Sequence, residues 1–194
     1  MNTLGFYFFL GFEHVLDPNG LDHFYFLTVL AIPFVFRDWR RVLWLVTLFT
    51  LGHTLSLALA YHDILAVNAV WIEFLIPITI VASCIPILLN LKSVKTSSPL
   101  PNIIGFLTFA FGLIHGLGFA RYFGQVVLKD DAYTALLSFA VGVEAAQLLI
   151  VLGVLLVNFV VLRLLGLQQQ RWQLIIAAMV AALAGQMMIA NWPG

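Results

Sequence analysis

Charge is what this 194-residue chain has least of: Asp, Glu, Lys and Arg together make up 9% of it, against 62% hydrophobic residues. Soluble domains carry about 25% charged residues, and with a mean hydropathy of +1.04 the composition implies an integral membrane protein. A single cysteine, Cys84, excludes an intrachain disulfide and a thiolate metal cage built from this chain alone. Acidic and basic residues balance at nine each, so no net field draws nucleic acid or another polyanion. The opening MNTLGFYFFLGFEH lacks a basic n-region and does not read as a cleaved signal peptide. No Walker motif is present, so any ATPase coupled to the chain is a separate partner subunit.

Long apolar runs are what the chain has in abundance. They fall at 21–36, 42–61, 69–91, 103–120, 132–162 and 172–190, and a bilayer crossing takes about 20 residues. The pattern predicts an all-α membrane bundle of six spans forming one domain over residues 1–194. A further apolar piece, 4–16, is too short to cross and is cut off by the turn-forming Asp17-Pro18-Asn19-Gly20. It reads as a half-helix or re-entrant segment.

Basic residues alternate between the loops. Arg37, Arg40 and Arg41, then Lys92 and Lys95, then Arg163 and Arg171 mark one side. The alternate loops hold His62 with Asp63, and Arg121 and Lys129 beside Asp130 and Asp131. The positive-inside rule then puts both termini outside the cytoplasm.

Inside the apolar runs stand Asp22, His23, His53, Glu73, His115 and Glu144. A charge at the membrane centre costs roughly 2.5–3.5 kcal/mol, so such groups line a pathway or a site far more often than chance allows. At a helical rise of about 1.5 Å per residue they all fall between the midplane and the outer surface. Phe49-x-x-x-His53-x-Leu55 is echoed by Phe111-x-x-x-His115-x-Leu117, and Val70-x-x-Glu73 by Val141-x-x-Glu144. Two parallel helix pairs, each a His helix followed by a Glu helix, are the implied repeat, with chance similarity of Leu/Phe-rich helices as its rival. Gly52, Gly112, Gly116 and Gly118 flank the histidines and let helices approach closely.

Each residue also has a plainer reading. A single buried histidine can be mere interhelical glue. Asp22 is either a ligand or a helix cap, and it can also orient a neighbouring histidine. Glu13 and His14 either reach the outer mouth of the site or form a solvated interfacial pair. Glu144 and Gln147 share a helix face, as ligands or as hydrogen-bonding glue, and Glu73 is near enough to the interface to snorkel.

Imidazole with carboxylate, and no thiolate or thioether cluster, suits Ni²⁺, Co²⁺, Zn²⁺ or Fe²⁺ and disfavours Cu⁺. Two functions accommodate such a site. One is a transporter whose cargo is a divalent transition metal. The other is an intramembrane zinc hydrolase for an amphipathic substrate, with Glu144 or Asp22 as base and Ser56 nearby.

Four ordered blocks carry a family resemblance: Gly11-Phe12-Glu13-His14-Val15 with Gly20-Leu21-Asp22-His23; Phe49-Thr50-Leu51-Gly52-His53-Thr54-Leu55; Phe111-Gly112-Leu113-Ile114-His115-Gly116-Leu117-Gly118-Phe119-Ala120; and Phe139-Ala140-Val141-Gly142-Val143-Glu144-Ala145-Ala146-Gln147. Over about residues 9–160 the chain resembles the HupE/UreJ family of hydrogenase- and urease-accessory membrane proteins. The resemblance implies a six- or seven-span bacterial inner-membrane protein and a nickel or cobalt permease. It points to His23, His53, His115 and Glu144 as metal ligands, with Asp22 and Glu73 next. Two departures stand out. The interval from His14 to Asp22-His23 is two residues longer than the family pattern, and Ala140 replaces an asparagine. Partner subunits or self-association fit a protein of this class, with the bilayer as its solvent.

Overall fold

In the computed structural model, residues 3–65, 68–89, 101–127 and 132–194 are described, and all their regular structure is helical. Seven α-helices follow in order: α1 Thr3–Leu16, α2 Asp22–Ala31, α3 Trp39–Tyr61, α4 Ala69–Leu88, α5 Pro101–Val126, α6 Ala132–Phe159 and α7 Gln169–Ala190. A short 3-10 turn, Phe36–Asp38, leads into α3, and a π-helical turn, Val160–Leu164, closes α6. Five helices, α3 to α7, are long and apolar enough to cross a membrane. Their outward faces are apolar too: Leu137, Val141, Leu148, Leu152 and Leu156 line the exposed side of α6. With no charge to hydrate them, such faces are soluble only in lipid.

The sixth expected span, 21–36, departs from the expectation. Helix α2 holds 10 residues, about 15 Å at helical rise, half a hydrocarbon core. Pro33 explains its end, since proline cannot continue a helix past its first turn. The carbonyls released there are recovered by other helices. Asn158 Nδ2 donates to Ile32 O at 3.2 Å and to Phe34 O at 3.1 Å, and Gln169 Nε2 donates to Pro33 O at 3.2 Å. Trp172 Nε1 in turn donates to Asn158 Oδ1 at 2.9 Å. One buried amide therefore ties α2, α6 and α7 together.

Helix α1 is also short, at 14 residues. It advances in the same sense as α6: Ser138 Oγ donates to Leu4 O, and Gly11 lies against Phe139 and Val143. Helix α2 runs against α3, with Phe26 stacked on Phe49 and Arg41 over the Phe34 ring. Since α3 also opposes α6, with His62 after its end near Tyr133 and Arg41 at its start over Phe34, which is bonded to Asn158, α1 and α2 advance the same way. Two half-helices in series, broken at Asp17-Pro18-Asn19-Gly20, stand where a half-helix, 4–16, and a full span, 21–36, were expected. Asp17 organises the break, accepting from Asn19 N at 2.9 Å and Asn19 Nδ2 at 3.1 Å.

The loops carrying Arg37–Arg41 and Arg163–Arg171 meet at one end of the bundle, through the contacts of Asn158 and Gln169 just given. At the opposite end His62 approaches Tyr133 and Trp192 packs on Phe74. Lys92, Lys95, Lys129, Asp130 and Asp131, which entered the orientation argument, lie outside the described residues.

Candidate metal site

Two close helix crossings build the floor of the site. A Cβ on Gly52 would meet Phe109 O and stand 3.0 Å from Leu113 N; one on Gly112 would meet Phe49 O. The same exchange joins α1 to α6. A Cβ on Gly11 would meet Phe139 O, and one on Gly142 would meet Phe8 O and stand 3.0 Å from Phe12 N. Each crossing pairs a Phe-x-x-Gly with a Phe-x-x-Gly: Phe8/Gly11 with Phe139/Gly142, and Phe49/Gly52 with Phe109/Gly112. Backbones touch only because these glycines lack side chains, which is how membrane helices gain packing area without a hydrophobic driving force. Gly116 sharpens the fit, because a Cβ there would meet Ser56 Oγ and His53 O.

Between the crossings four of the five histidines converge. His23 sits with its ring centroid 4.8 Å from that of His14, 5.7 Å from His53 and 5.3 Å from His115. His14 and His53 are 5.6 Å apart. They arrive from four helices: His14 from α1, His23 from the first turn of α2, His53 from α3 and His115 from α5. The broken helix accounts for two of them, because ending α1 and restarting at Asp22 brings His14 and His23 to one point.

Donor atoms fall into two groups. One atom each from His14, His23 and His53 lie within 4.8 Å of one another, as do atoms from Asp22, His23 and His115. Asp22 Oδ1 stands 3.3 Å from His23 Nδ1, and its Oδ2 3.7 Å from His115 Nδ1. His23, His53 and His115 are buried, and His14 is partly buried. His14 Nε2, His23 Nε2, both nitrogens of His53 and His115 Nδ1 have no hydrogen-bond partner. Buried nitrogens left unpaired cost about 1–3 kcal/mol each, so the cluster is a place where a ligand or water could be held.

Thr79 Oγ1 donates to Ile76 O at 2.7 Å and lies 3.1 Å from His115 Nε2, so a hydroxyl on α4 holds the ring that faces Asp22. Which ring nitrogen carries the proton depends on the tautomer. The other nitrogen of that ring, Nδ1, faces the Asp22 carboxylate, and the two offer donor atoms that a cation could share. The sequence position of Thr79 did not announce its contact with His115.

Aromatic rings enclose the imidazoles. The Phe119 centroid is 3.9 Å from that of His14, and Phe49 and Phe26 lie 5.1 and 5.5 Å from His115. Low-dielectric walls of this kind strengthen every charge interaction inside. An open cavity of about 630 Å³, lined by Glu13, His14, Asp17, Phe119 and Tyr122, reaches the cluster at His14.

The remaining sequence candidates stand elsewhere. Glu144 faces α3, where Thr47 Oγ1 donates to Oε1 at 2.7 Å and Thr50 Oγ1 donates to Oε2. Thr50 Oγ1 also lies 2.9 Å from Gln147 Oε1. Glu73 is on an exposed face of α4. Its backbone carbonyl, which Pro77 deprives of a helical donor, accepts from Asn191 Nδ2 at 3.1 Å. Among the described residues, neither carboxylate belongs to a donor group of the cluster. Ser56 donates to His53 O at 2.9 Å, its hydroxyl proton already committed.

Residues 1–192, essentially the whole chain, match the family described as HupE / UreJ protein. No curated protein and no solved structure matches it.

Proposed function

The chain belongs to the HupE/UreJ family, and from that premise we propose that it is a permease whose cargo is a divalent transition metal, nickel or cobalt, bound in passage by His14, His23, His53, His115 and Asp22. Family membership and the apolar helices make it a multi-pass membrane protein in a lipid bilayer. The finer reading is supported above all by the convergence of four imidazoles and the Asp22 carboxylate, with five imidazole nitrogens that have no hydrogen-bond partner. Four imidazoles and one carboxylate suit nickel and cobalt by ligand type. Acidic charge from Asp22 offsets part of the ion's dehydration, and the absence of sulfur keeps binding reversible enough for release.

A discontinuous helix at a buried ion site is a recurring transporter device, because its broken end supplies ligands that a continuous span would turn apart. Here the break delivers Asp22 and His23 together at the head of α2. The basic ends of the helices, Arg37–Arg41 and Arg163–Arg171, orient the bundle with that face in the cytoplasm and the termini outside the inner membrane. The cavity at His14 then opens outward. The hydrolase reading is not favoured: Ser56 donates to His53 O and Glu144 accepts from Thr47, which leaves Asp22 as its only base at the cluster.

Uptake of nickel or cobalt into proteoliposomes tests the proposal. Wild-type protein is expected to carry the ion, and the His53→Ala/His115→Ala double variant is expected not to. Equal uptake by both would refute it.

A further inference from the structure

The donor groups are two, not one, and they overlap in a single residue. His14, His23 and His53 form an all-imidazole set drawn from α1, α2 and α3; Asp22, His23 and His115 form a mixed set drawn from α2 and α5. A neutral imidazole has one lone pair, so His23 serves one ion at a time whichever nitrogen it uses. The two sets differ in their surroundings. His14 is the member that lines the open cavity, beside Glu13 and Asp17. His115 is held on the far side by Thr79 on α4 and walled by Phe26 and Phe49.

Resting on the permease reading, we propose that the cluster holds two alternative positions for the cargo, occupied in turn: an outer one at His14, His23 and His53, entered from the cavity, and a deeper one at Asp22, His23 and His115. His23 is the pivot. An ion leaving the outer set keeps one ligand while exchanging two imidazoles for an imidazole and a carboxylate. No stage of the passage leaves it bare in a low-dielectric interior. Moving between adjacent sites of comparable strength is also what lets a bound ion leave, whereas one deep well would trap it. The carboxylate gives the deeper set a charge that the outer, all-imidazole set lacks, so the two positions differ in the ligands they offer.

Titration with Co²⁺, whose visible absorption reports its ligands, tests the arrangement on the full-length protein in detergent. Wild type is expected to bind one Co²⁺ per chain. His53→Ala and His115→Ala are each expected still to bind one, about 10–100-fold more weakly and with distinct spectra, nitrogen- and oxygen-rich in the first and all-nitrogen in the second. His23→Ala should bind none. Size-exclusion profiles, together with His53→Gln and His115→Gln, separate loss of a ligand from loss of the fold. Two ions per wild-type chain would overturn the shared pivot. Complete loss in both well-folded single variants, alanine and glutamine alike, would show one undivided site. Wild type that binds Co²⁺ in this pattern yet carries none into vesicles would sink the permease reading and leave the paired positions standing; wild type that binds none would sink both.

Discussion

Two carboxylates sit within the helical bundle, and their neighbours give them different work. Asp22 pairs with His23 Nδ1 and faces His115 Nδ1, amid imidazoles with nitrogens that have no hydrogen-bond partner. Glu144 is surrounded by hydroxyls, with Thr47 and Thr50 each donating to one of its oxygens. The unpartnered nitrogens near Asp22 are those of four converging imidazoles, whereas both oxygens of Glu144 face threonine hydroxyls. A charged side chain in an apolar helix is therefore only half a signal, and the donors facing it supply the other half. The Asp22 side has the donor groups that could hold an ion. The Glu144 side joins α3 to α6, in the manner of polar residues that bind membrane helices to one another.

The largest expected effect tests the Asp22 side. His23→Ala removes the ligand common to both donor groups, and metal affinity should fall more than about 100-fold, beyond the loss typical of groups that merely orient a ligand. Equilibrium dialysis against Ni²⁺ measures it. Asp22→Asn keeps the shape and drops the charge; affinity should fall about 10–100-fold. The matched change Glu144→Gln should leave metal affinity where it was, and a parallel loss in both variants would erase the distinction between the carboxylates.

Gly116→Ala places a methyl against His53 O and Ser56 Oγ. Overpacking of that kind costs about 1–3 kcal/mol, read as a lower Tm in detergent, with uptake reduced because His53 is displaced. Thr50→Val leaves Glu144 short of a donor and should cost about 1–3 kcal/mol of stability with metal binding intact. The smallest effect belongs to Glu73→Gln, since only the backbone carbonyl of Glu73 is engaged. Uptake and Tm should both match wild type.

Much of this was legible in the sequence, and what was not has physical reasons. Five long helices follow from run length, because lipid tolerates no unpaired backbone. The convergence of His23, His53 and His115 follows from shared depth and flanking glycines. His14 was ambiguous because the segment bearing it is too short to cross. Only the three-dimensional break, with α1 and α2 advancing in series, shows that a half-length helix can reach the site. The 21–36 run misled because hydropathy does not register that Pro33 ends a helix whose carbonyls are then taken by Asn158 and Gln169. The Phe8/Gly11 and Phe139/Gly142 crossing went unread, although Phe-x-x-Gly recurs on all four crossing helices and was there to be counted. Thr79 had no sequence signal at all, since a threonine beside an imidazole looks like any other until the fold places it 3.1 Å from His115 Nε2.

X-ray absorption at the nickel edge of the loaded protein tests the central claim most directly, because it reports the atoms around the ion. The account predicts nitrogen and oxygen neighbours with the outer-shell scattering of at least two imidazoles, and that imidazole signal lost in His23→Ala. A shell of oxygen alone, or one containing sulfur, would contradict it.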